Sequence, residues 1–407
     1  MPAKKKVIFL FLDGLPDIPA DDRTPLTEAN KPNIDWLAKN GTTGELMLLD
    51  KSFWTEMMRT SASHTANISL LGYDPRKFPV KRGVLEAVGA DMQYKGGYLA
   101  LRCNFATVDK DLNVVDRHVG RNITGLPDLA RHINENVDIG VPFVFKRTYE
   151  HRAALVIKMN LSDEISSNDP MKEGEKARKI SATKPDGLVS AKIVQDFIEK
   201  VHGLIEYHQV NESRTERRIP AANYLLVREA GNKLLDLLPH FTKRYKMKKS
   251  AIISEAGSIK ASCMLAGFDA ITVPEISDGG KINYRRTMDF VFNNIEYALP
   301  DYDFIIAHIK ETDVAAHDKD FDRRTEAIEA IDSHLEDIKD SGNILVITSD
   351  HITSTETGKH EYGTVPVLVY GKGKDKSKKF DEISVKKGKL KNYTGDKLMK
   401  YICGRVV

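Results

Sequence analysis

Six short apolar runs limit the possible folds of this chain more than any other feature. They lie at residues 7–12, 250–254, 270–273, 304–308, 344–347 and 365–370. Runs of four to six apolar residues suit strands buried on both faces. Amphipathic stretches alternate with them. Residues 33–39 place Ile34 and Leu37 on one side, and 258–266 and 323–338 have the same helical spacing. This alternation predicts βαβ units and a mostly parallel sheet flanked by helices. The first run follows Lys4-Lys5-Lys6 but spans only six residues before Asp13. A secretory segment needs about 7–15 apolar residues, so the run reads as a buried strand. No run reaches the roughly 18 apolar residues of a membrane-spanning helix.

The middle of the chain has a different pattern. Residues 98–108, 113–118, 143–149 and 152–159 read as strands without long helices between them. Gly96-Gly97 precedes this block, and a polar stretch at 169–186 with Pro170 and Pro185 follows it. The expected organisation is an α/β core formed by 1–92 and 187–407. Into it is inserted a smaller α+β domain, residues 93–186, joined by two hinges. The Lys-rich segment 371–379 reads as a solvated loop. Lys and Arg number 61 against 58 Asp and Glu, a net charge of +3. That near-balance speaks against a nucleic-acid coat or an acidic tail. A 41% apolar content over 407 residues can bury a large core, which excludes global disorder. The three cysteines, Cys103, Cys263 and Cys403, are far apart and show no CxxC spacing. They point to a reducing compartment, the cytoplasm, and away from a disulfide framework or a zinc ribbon.

Three clusters with metal-site chemistry each follow a predicted strand. They are Asp13-Gly14, Asp313 with His317 four residues on, and Asp350-His351 with His360 nine residues on. In α/β sheets, ligands gather beyond the carboxyl ends of the strands, so the three can converge. Mixed Asp and His ligation suits Mn, Zn, Fe or Co, and carboxylates also accept Mg. Singly, each cluster could be a turn, a helix cap or a surface pair. Their recurrence behind three apolar strands points to one joint site. A two-metal site that transfers phosphoryl groups also needs a nucleophile. The hydroxyl-rich segment 59–67 offers one ahead of the apolar run 68–71. A hydroxyl at a helix N-terminus sits beside N–H groups that favour phosphate. On sequence chemistry alone, a simple helix cap is the favoured reading of these residues.

Together these motifs resemble the archaeal-type cofactor-independent phosphoglycerate mutases of the alkaline phosphatase superfamily. The resemblance covers nearly the whole chain. It is carried by Leu12-Asp13-Gly14, Thr24-Pro25-Leu26-Thr27-Glu28-Ala29 and Lys31-Pro32-Asn33-Ile34-Asp35. Leu71-Gly72-Tyr73-Asp74-Pro75, Arg82-Gly83-Val84-Leu85-Glu86-Ala87 and Arg102-Cys103-Asn104-Phe105-Ala106-Thr107 follow in order. So do Asp116-Arg117-His118-Val119-Gly120-Arg121, His151-Arg152, Asp169-Pro170, Arg228, Gly231, and His308 through Asp313 with His317-Asp318. The resemblance implies an alkaline-phosphatase-like core and interconversion of 2- and 3-phosphoglycerate through a phosphoserine, without 2,3-bisphosphoglycerate. Ser63 matches the serine that takes the phosphate. Asp13, Ser63, Asp350 and His351 match the ligands of one divalent metal, and Asp313, His317 and His360 those of the other. Mn is the expected metal, with Mg, Co or Zn as substitutes. Arg117, Arg121 and Arg152 are candidate carboxylate and glycerate contacts, and Lys260 is a candidate phosphate contact. The implied partner is a small phosphorylated substrate, with no nucleic acid and no membrane; oligomeric state is not legible.

Departures from the family pattern cluster near the chemistry. His64 stands where the family has an acidic residue, and Asn67 where it has histidine. Arg117-His118 replaces paired arginines, Lys319 replaces glycine, and Glu361-Tyr362-Gly363-Thr364 follows His360 in place of Ser-x-Asp-Pro. Changes beside metal ligands can cost 10–100-fold in affinity or activity. Two alternatives therefore stand beside the mutase: a metal-dependent phosphatase of the same superfamily, and a paralogue with impaired mutase activity.

Overall fold

The computed structural model describes residues 5–57, 62–233 and 238–404. The side chains of residues 56, 57, 62 and 63 lie outside this description. Among the described residues, seventeen strands form two main sheets and two small hairpins. The larger sheet holds β1 (Val7–Leu12), β2 (Thr42–Leu46), β8 (Ser250–Ser254), β9 (Asp269–Thr272), β12 (Phe304–Ile309), β13 (Ile344–Thr348), β16 (Val365–Tyr370) and β17 (Leu390–Tyr393). Their order is β17-β2-β16-β13-β1-β12-β8-β9. Only β16 runs antiparallel to its two neighbours. The predicted mostly parallel α/β sheet is therefore present.

Central strand β1 accounts for this arrangement. All six of its residues are buried. Val7, Phe9 and Phe11 enter one apolar cluster, while Ile8, Leu10 and Leu12 enter another on the opposite face. Period-2 alternation of side chains lets one continuous apolar run supply both cores. Each fully buried side chain of this size contributes about 1.5–3 kcal/mol. The helix Phe321–Ile338 covers one face with Ile328, Ile331 and Leu335. The sequence pattern did not reveal β2 or β17, because Thr-Thr-Gly-Glu-Leu and Leu-Lys-Asn-Tyr carry too few apolar residues.

The second sheet is antiparallel. It contains β3 (Tyr98–Val108), β4 (Val114–Asp116), β5 (Phe143–Arg147), β6 (Arg152–Asn160) and β7 (Tyr224–Gly231). This sheet includes a strand beyond residue 186. Strand β7 pairs with β3, as Cys103 opposite Val227 illustrates. The helix Leu188–Ile205 buries Val194, Phe197, Ile198 and Val201 in the same apolar cluster. The residue just ahead of the polar stretch 169–186 is bound to this sheet. Asn168 donates to the Leu225 carbonyl at 2.9 Å and accepts the Val227 N–H at 2.5 Å. A polar, proline-bearing segment looks the same in sequence whether it links domains or caps a sheet with side-chain hydrogen bonds. The hairpins are β10 (Ser277–Asp278) with β11 (Lys281–Ile282), and β14 (Ile352–Ser354) with β15 (Lys359–Glu361).

Candidate active site

Parallel pairing brings three strand ends together. Leu12 lies opposite Ile309 in the β1–β12 register, and Phe11 lies opposite Thr348 in the β1–β13 register. The residues just beyond, Asp13, Lys310 to Asp313, and Asp350-His351, therefore meet. The hairpin β14–β15 brings His360 back opposite Thr353. Gly14 permits the closeness. Its φ of +55° is left-handed, and a Cβ there would stand 2.5 Å from Thr353 Oγ1 and 2.6 Å from Asp313 Oδ1.

Two ligand-type groups result. In one, His351 Nε2 lies 3.5 Å from Asp13 Oδ1 and 3.1 Å from Asp350 Oδ2. In the other, His317 Nε2 lies 3.4 Å from Asp313 Oδ2 and 3.1 Å from His360 Nε2, which is itself 3.6 Å from Asp313 Oδ1. The groups adjoin, with the His351 and His360 rings stacked at 3.7 Å. The hydrogen bonds orient the rings. Thr353 donates its only hydroxyl proton to Asp313 Oδ1 at 2.9 Å. At 3.0 Å it therefore accepts from His351 Nδ1, which makes Nε2 the ring nitrogen that faces the carboxylates. That Nε2 is buried, and the atoms it meets are the Asp350 and Asp13 carboxylate oxygens. His317 Nδ1 likewise donates to the Gly358 carbonyl at 2.8 Å, which turns its Nε2 inward. Imidazole nitrogens aimed among carboxylates become, once a cation displaces their protons, the donor set of a divalent metal.

The electrostatics agree. Burial and Asp313 push the Asp13 carboxyl upward, but His308 and His351 outweigh them and hold it below its ordinary value. Burial opposes charge on His351, yet Asp350, Asp313 and Asp13 raise it to about 9. The cluster demands positive charge, which protons or cations can supply. His308, on β12, bridges Asp13 Oδ2 at 3.3 Å and Glu255 Oε2 at 3.4 Å. Burial works against its charge, and these two carboxylates overcome that and raise it to about 9. Arg324, fully buried, reinforces the loop beneath. It donates to Asp17 Oδ2 at 2.8 Å, to the Gly14, Leu15 and Pro16 carbonyls, and to Thr353 O at 2.9 Å.

A cationic wall faces this cluster from the second sheet and the helix Arg82–Gly89. Arg82 donates to buried Glu86 at 3.0 Å, and Arg102 Nε lies 3.9 Å from the same oxygen. Burial disfavours the Glu86 charge, but Arg82, Arg102 and Arg152 hold its carboxyl at about 2. The Nε atoms of Arg102, Arg152 and Arg228, with His151 Nδ1, are buried without hydrogen-bond partners. Burial first, then Arg152, lowers the pKa of Lys310, which also feels Asp13 and Glu150. Lys310 and Arg82 both sense Asp13, which ties the cationic wall to the carboxylates. Unsatisfied buried donors are costly unless a ligand meets them, so the wall suits an anion.

The sequence-predicted residues separate here. Asp13, Asp313, His317, Asp350, His351 and His360 come together. Ser63 falls in the first turn of the helix Ala62–Leu70, and its side chain lies outside the described residues; so do residues 59–61 of the hydroxyl-rich segment. Its neighbour His64 is buried beside Arg82, Glu86 and Arg102; burial, then Arg82, lowers its pKa to about 3. Arg152 joins the cationic wall. Arg117 is instead bound bidentately to buried Asp169, at 3.1 and 2.7 Å. Arg121 reaches Asp318 at 3.2 Å and Glu150 at 3.8 Å. Lys260 is buried in the helix Ser258–Leu265 and pairs with Asp91 at 2.7 Å. Lys319 adopts φ +58°, which explains why glycine suits that position. Sequence reasoning missed His308, Lys310, Arg324, Arg102 and Arg228 as site residues. His308 and Arg102 sit inside apolar runs, where a polar residue is itself a signal.

Fold and site together define an α/β protein with a cation-ready carboxylate–imidazole centre facing an anion-ready arginine wall. A family model described as 2,3-bisphosphoglycerate-independent phosphoglycerate mutase matches residues 38–211. A relative so named in Pyrococcus abyssi is 37% identical over 404 residues, covering 96% of this chain and 95% of the relative. One in Thermoplasma volcanium is 36% identical, covering 97% and 95%. A solved cofactor-independent phosphoglycerate mutase from Thermoplasma acidophilum is 31% identical with a TM-score of 0.59, covering 98% of this chain and 100% of that one. A solved protein from Pyrococcus horikoshii is 28% identical with a TM-score of 0.73, covering 98% and 97%. The chain belongs to the family of 2,3-bisphosphoglycerate-independent phosphoglycerate mutases.

Proposed function

We propose that this protein is a cytoplasmic isomerase that interconverts 2- and 3-phosphoglycerate through phosphorylated Ser63, without 2,3-bisphosphoglycerate. The observation that carries this reading is the buried facing of the carboxylate–imidazole centre and the arginine wall, in a chain of this family. Asp13, Ser63, Asp350 and His351 would hold one divalent cation, and Asp313, His317 and His360 a second. Mn fits this mixed donor set, and Mg, Co or Zn could replace it. Bound cations would neutralise charge on the transferring phosphoryl group and acidify a coordinated hydroxyl.

The chain's own residues do the rest. The Ser63 oxygen attacks phosphorus, the bond from phosphorus to the glycerate oxygen breaks, and that oxygen takes up a proton. The glycerate turns within the site, and its other hydroxyl attacks the phosphoserine, freeing Ser63. His308 orients Asp13. Arg102, Arg152, Arg228 and Lys310 offset the substrate's phosphate and carboxylate charge, an environment fitted to arginine forks. In this reading Arg117, Arg121 and Lys260 act through Asp169, Asp318 and Asp91. We assign residues 98–231, the extent of the second sheet, as the substrate-binding unit, in place of 93–186.

The test is a mutase assay on metal-stripped protein, with Mn, Co and Mg added back separately and inorganic phosphate followed in parallel. Metal-dependent formation of 2-phosphoglycerate from 3-phosphoglycerate, lost in Ser63→Ala, is expected. Full activity in Ser63→Ala would overturn covalent transfer. Stoichiometric phosphate release would make the protein a phosphatase.

A further inference from the structure

The loop that leaves β4 is strained. Val119, Gly120 and Arg121 have φ of 48°, 66° and 49°, three left-handed residues in succession. For a β-branched residue such as valine this region is a genuine outlier. Strain of this kind persists only where the surroundings enforce it. Two side chains do so. Asp116 accepts the His118 N–H at 2.6 Å on one carboxylate oxygen and the Gly120 N–H at 2.7 Å on the other. Asp116, His118 and Glu173 also form a ligand-type group, but the Asp116 oxygens are already committed to this turn. The second enforcer is Arg214, which is 1% exposed. Among the described residues, no carboxylate lies within hydrogen-bond reach of its guanidinium. It donates instead to four backbone carbonyls: Val119 at 2.9 Å, Asn122 at 3.0 Å, Thr124 at 2.7 Å and Pro220 at 2.8 Å. Three of these belong to the loop.

The loop held in this way crosses to the core. Arg121 Nη2 meets Asp318 at 3.2 Å, directly after His317, and Arg323 meets the same carboxylate at 2.9 Å. The Ile123 N–H donates to the Gly280 carbonyl at 2.8 Å, in the turn of the β10–β11 hairpin. Asn122 Nδ2 donates to Gly279 O at 3.3 Å. Beside it, Tyr284 donates to Glu150 at 2.7 Å, and Arg147 pairs with Glu275 at 2.9 Å.

We propose that Arg214, together with Asp116, is a positioning residue that locks this loop as a seam across the active site, with Arg121–Asp318 as its closing contact. The proposal rests on the mutase reading for its consequence. A mutase must keep glycerate in and water out while Ser63 carries the phosphate. If water enters, its oxygen attacks phosphorus and the phosphorus–serine bond breaks. The Ser63 oxygen then takes a proton from that water, and inorganic phosphate and glycerate leave.

The experiment uses the full chain with Mn and compares wild type, Arg214→Met and Arg121→Gln. Loosening the seam should raise KM for 3-phosphoglycerate about tenfold, and phosphate released per turnover by a similar factor, in both variants. Arg121→Gln, partly exposed, should do this with little change in Tm. If Arg214→Met fails to fold, Arg121→Gln decides. Wild-type KM and phosphate release in the variants, even with a lowered Tm, would reduce Arg214 to a folding role and overturn the proposal. Hydrogen exchange at the Ile123 amide reads the seam independently of the reaction. About tenfold faster exchange in Arg121→Gln supports the seam, and unchanged exchange overturns it. A wild type that forms no 2-phosphoglycerate would count against the mutase reading alone.

Discussion

Replacing Gly14 by alanine tests the geometry of the centre with one methyl group. Two costs arise. A left-handed φ of +55° is strained for any residue with a Cβ, by roughly 1–2 kcal/mol. The new Cβ would also stand 2.5 Å from Thr353 Oγ1 and 2.6 Å from Asp313 Oδ1. Ordinary contact begins near 3.4 Å, so these oxygens must retreat by about 0.9 and 0.8 Å. Thr353 fixes the His351 tautomer and also bonds Asp313. Its retreat therefore disturbs both ligand groups at once. A displacement of this size at a reacting centre costs about 10²-fold in rate. The assay is kcat/KM for 2-phosphoglycerate formation, with Mn affinity by calorimetry and unfolding free energy by urea. The expected outcome is a loss near 10²-fold, weaker Mn binding and a stability loss of about 1–2 kcal/mol. Activity within threefold of wild type, with unchanged Mn affinity, would refute the reasoning that close packing at Gly14 sets the ligand geometry.

Two further outcomes are expected. Arg324→Met leaves Asp17 without its buried partner and removes donors from four backbone carbonyls; urea unfolding should register a loss of about 3–5 kcal/mol, and a change under 1 kcal/mol would contradict that role. His118 is held neutral, its pKa lowered to about 3 by burial and then by Arg121 and Arg117. Below pH 6.5 the unfolded chain therefore binds a proton that the folded chain refuses, so stability falls as pH falls. Between pH 7 and 5, His118→Asn should lose about 2 kcal/mol less stability than wild type; a gap independent of pH would show that His118 titrates normally.

Much of the centre was legible before any coordinates. Asp13, Asp313 and Asp350 each follow an apolar run, and a parallel sheet places such residues at one edge whatever the intervening chain does. That regularity is local in sequence, because strand length and side-chain period set it. The arginine wall was not legible as a site. Arg102 lies within a strand and Arg228 lies 126 residues later; only the antiparallel pairing of β3 with β7 sets them opposite each other. The place of β7 was hidden for the same reason, since it joins its sheet across a helix and a polar loop. Arg117 and Lys260 carried the right charge for a substrate contact, but tertiary packing gave them Asp169 and Asp91 as partners. Arg214 and Arg324 look like surface arginines in sequence. Their burial on backbone carbonyls appears only once distant loops meet. Periodicity and apolar content thus made the central strands and the ligand types at their ends legible, though not β2 or β17. The tertiary structure decided which cations face the centre and which loops close it, because long-range charge pairing depends on contacts that no local pattern encodes.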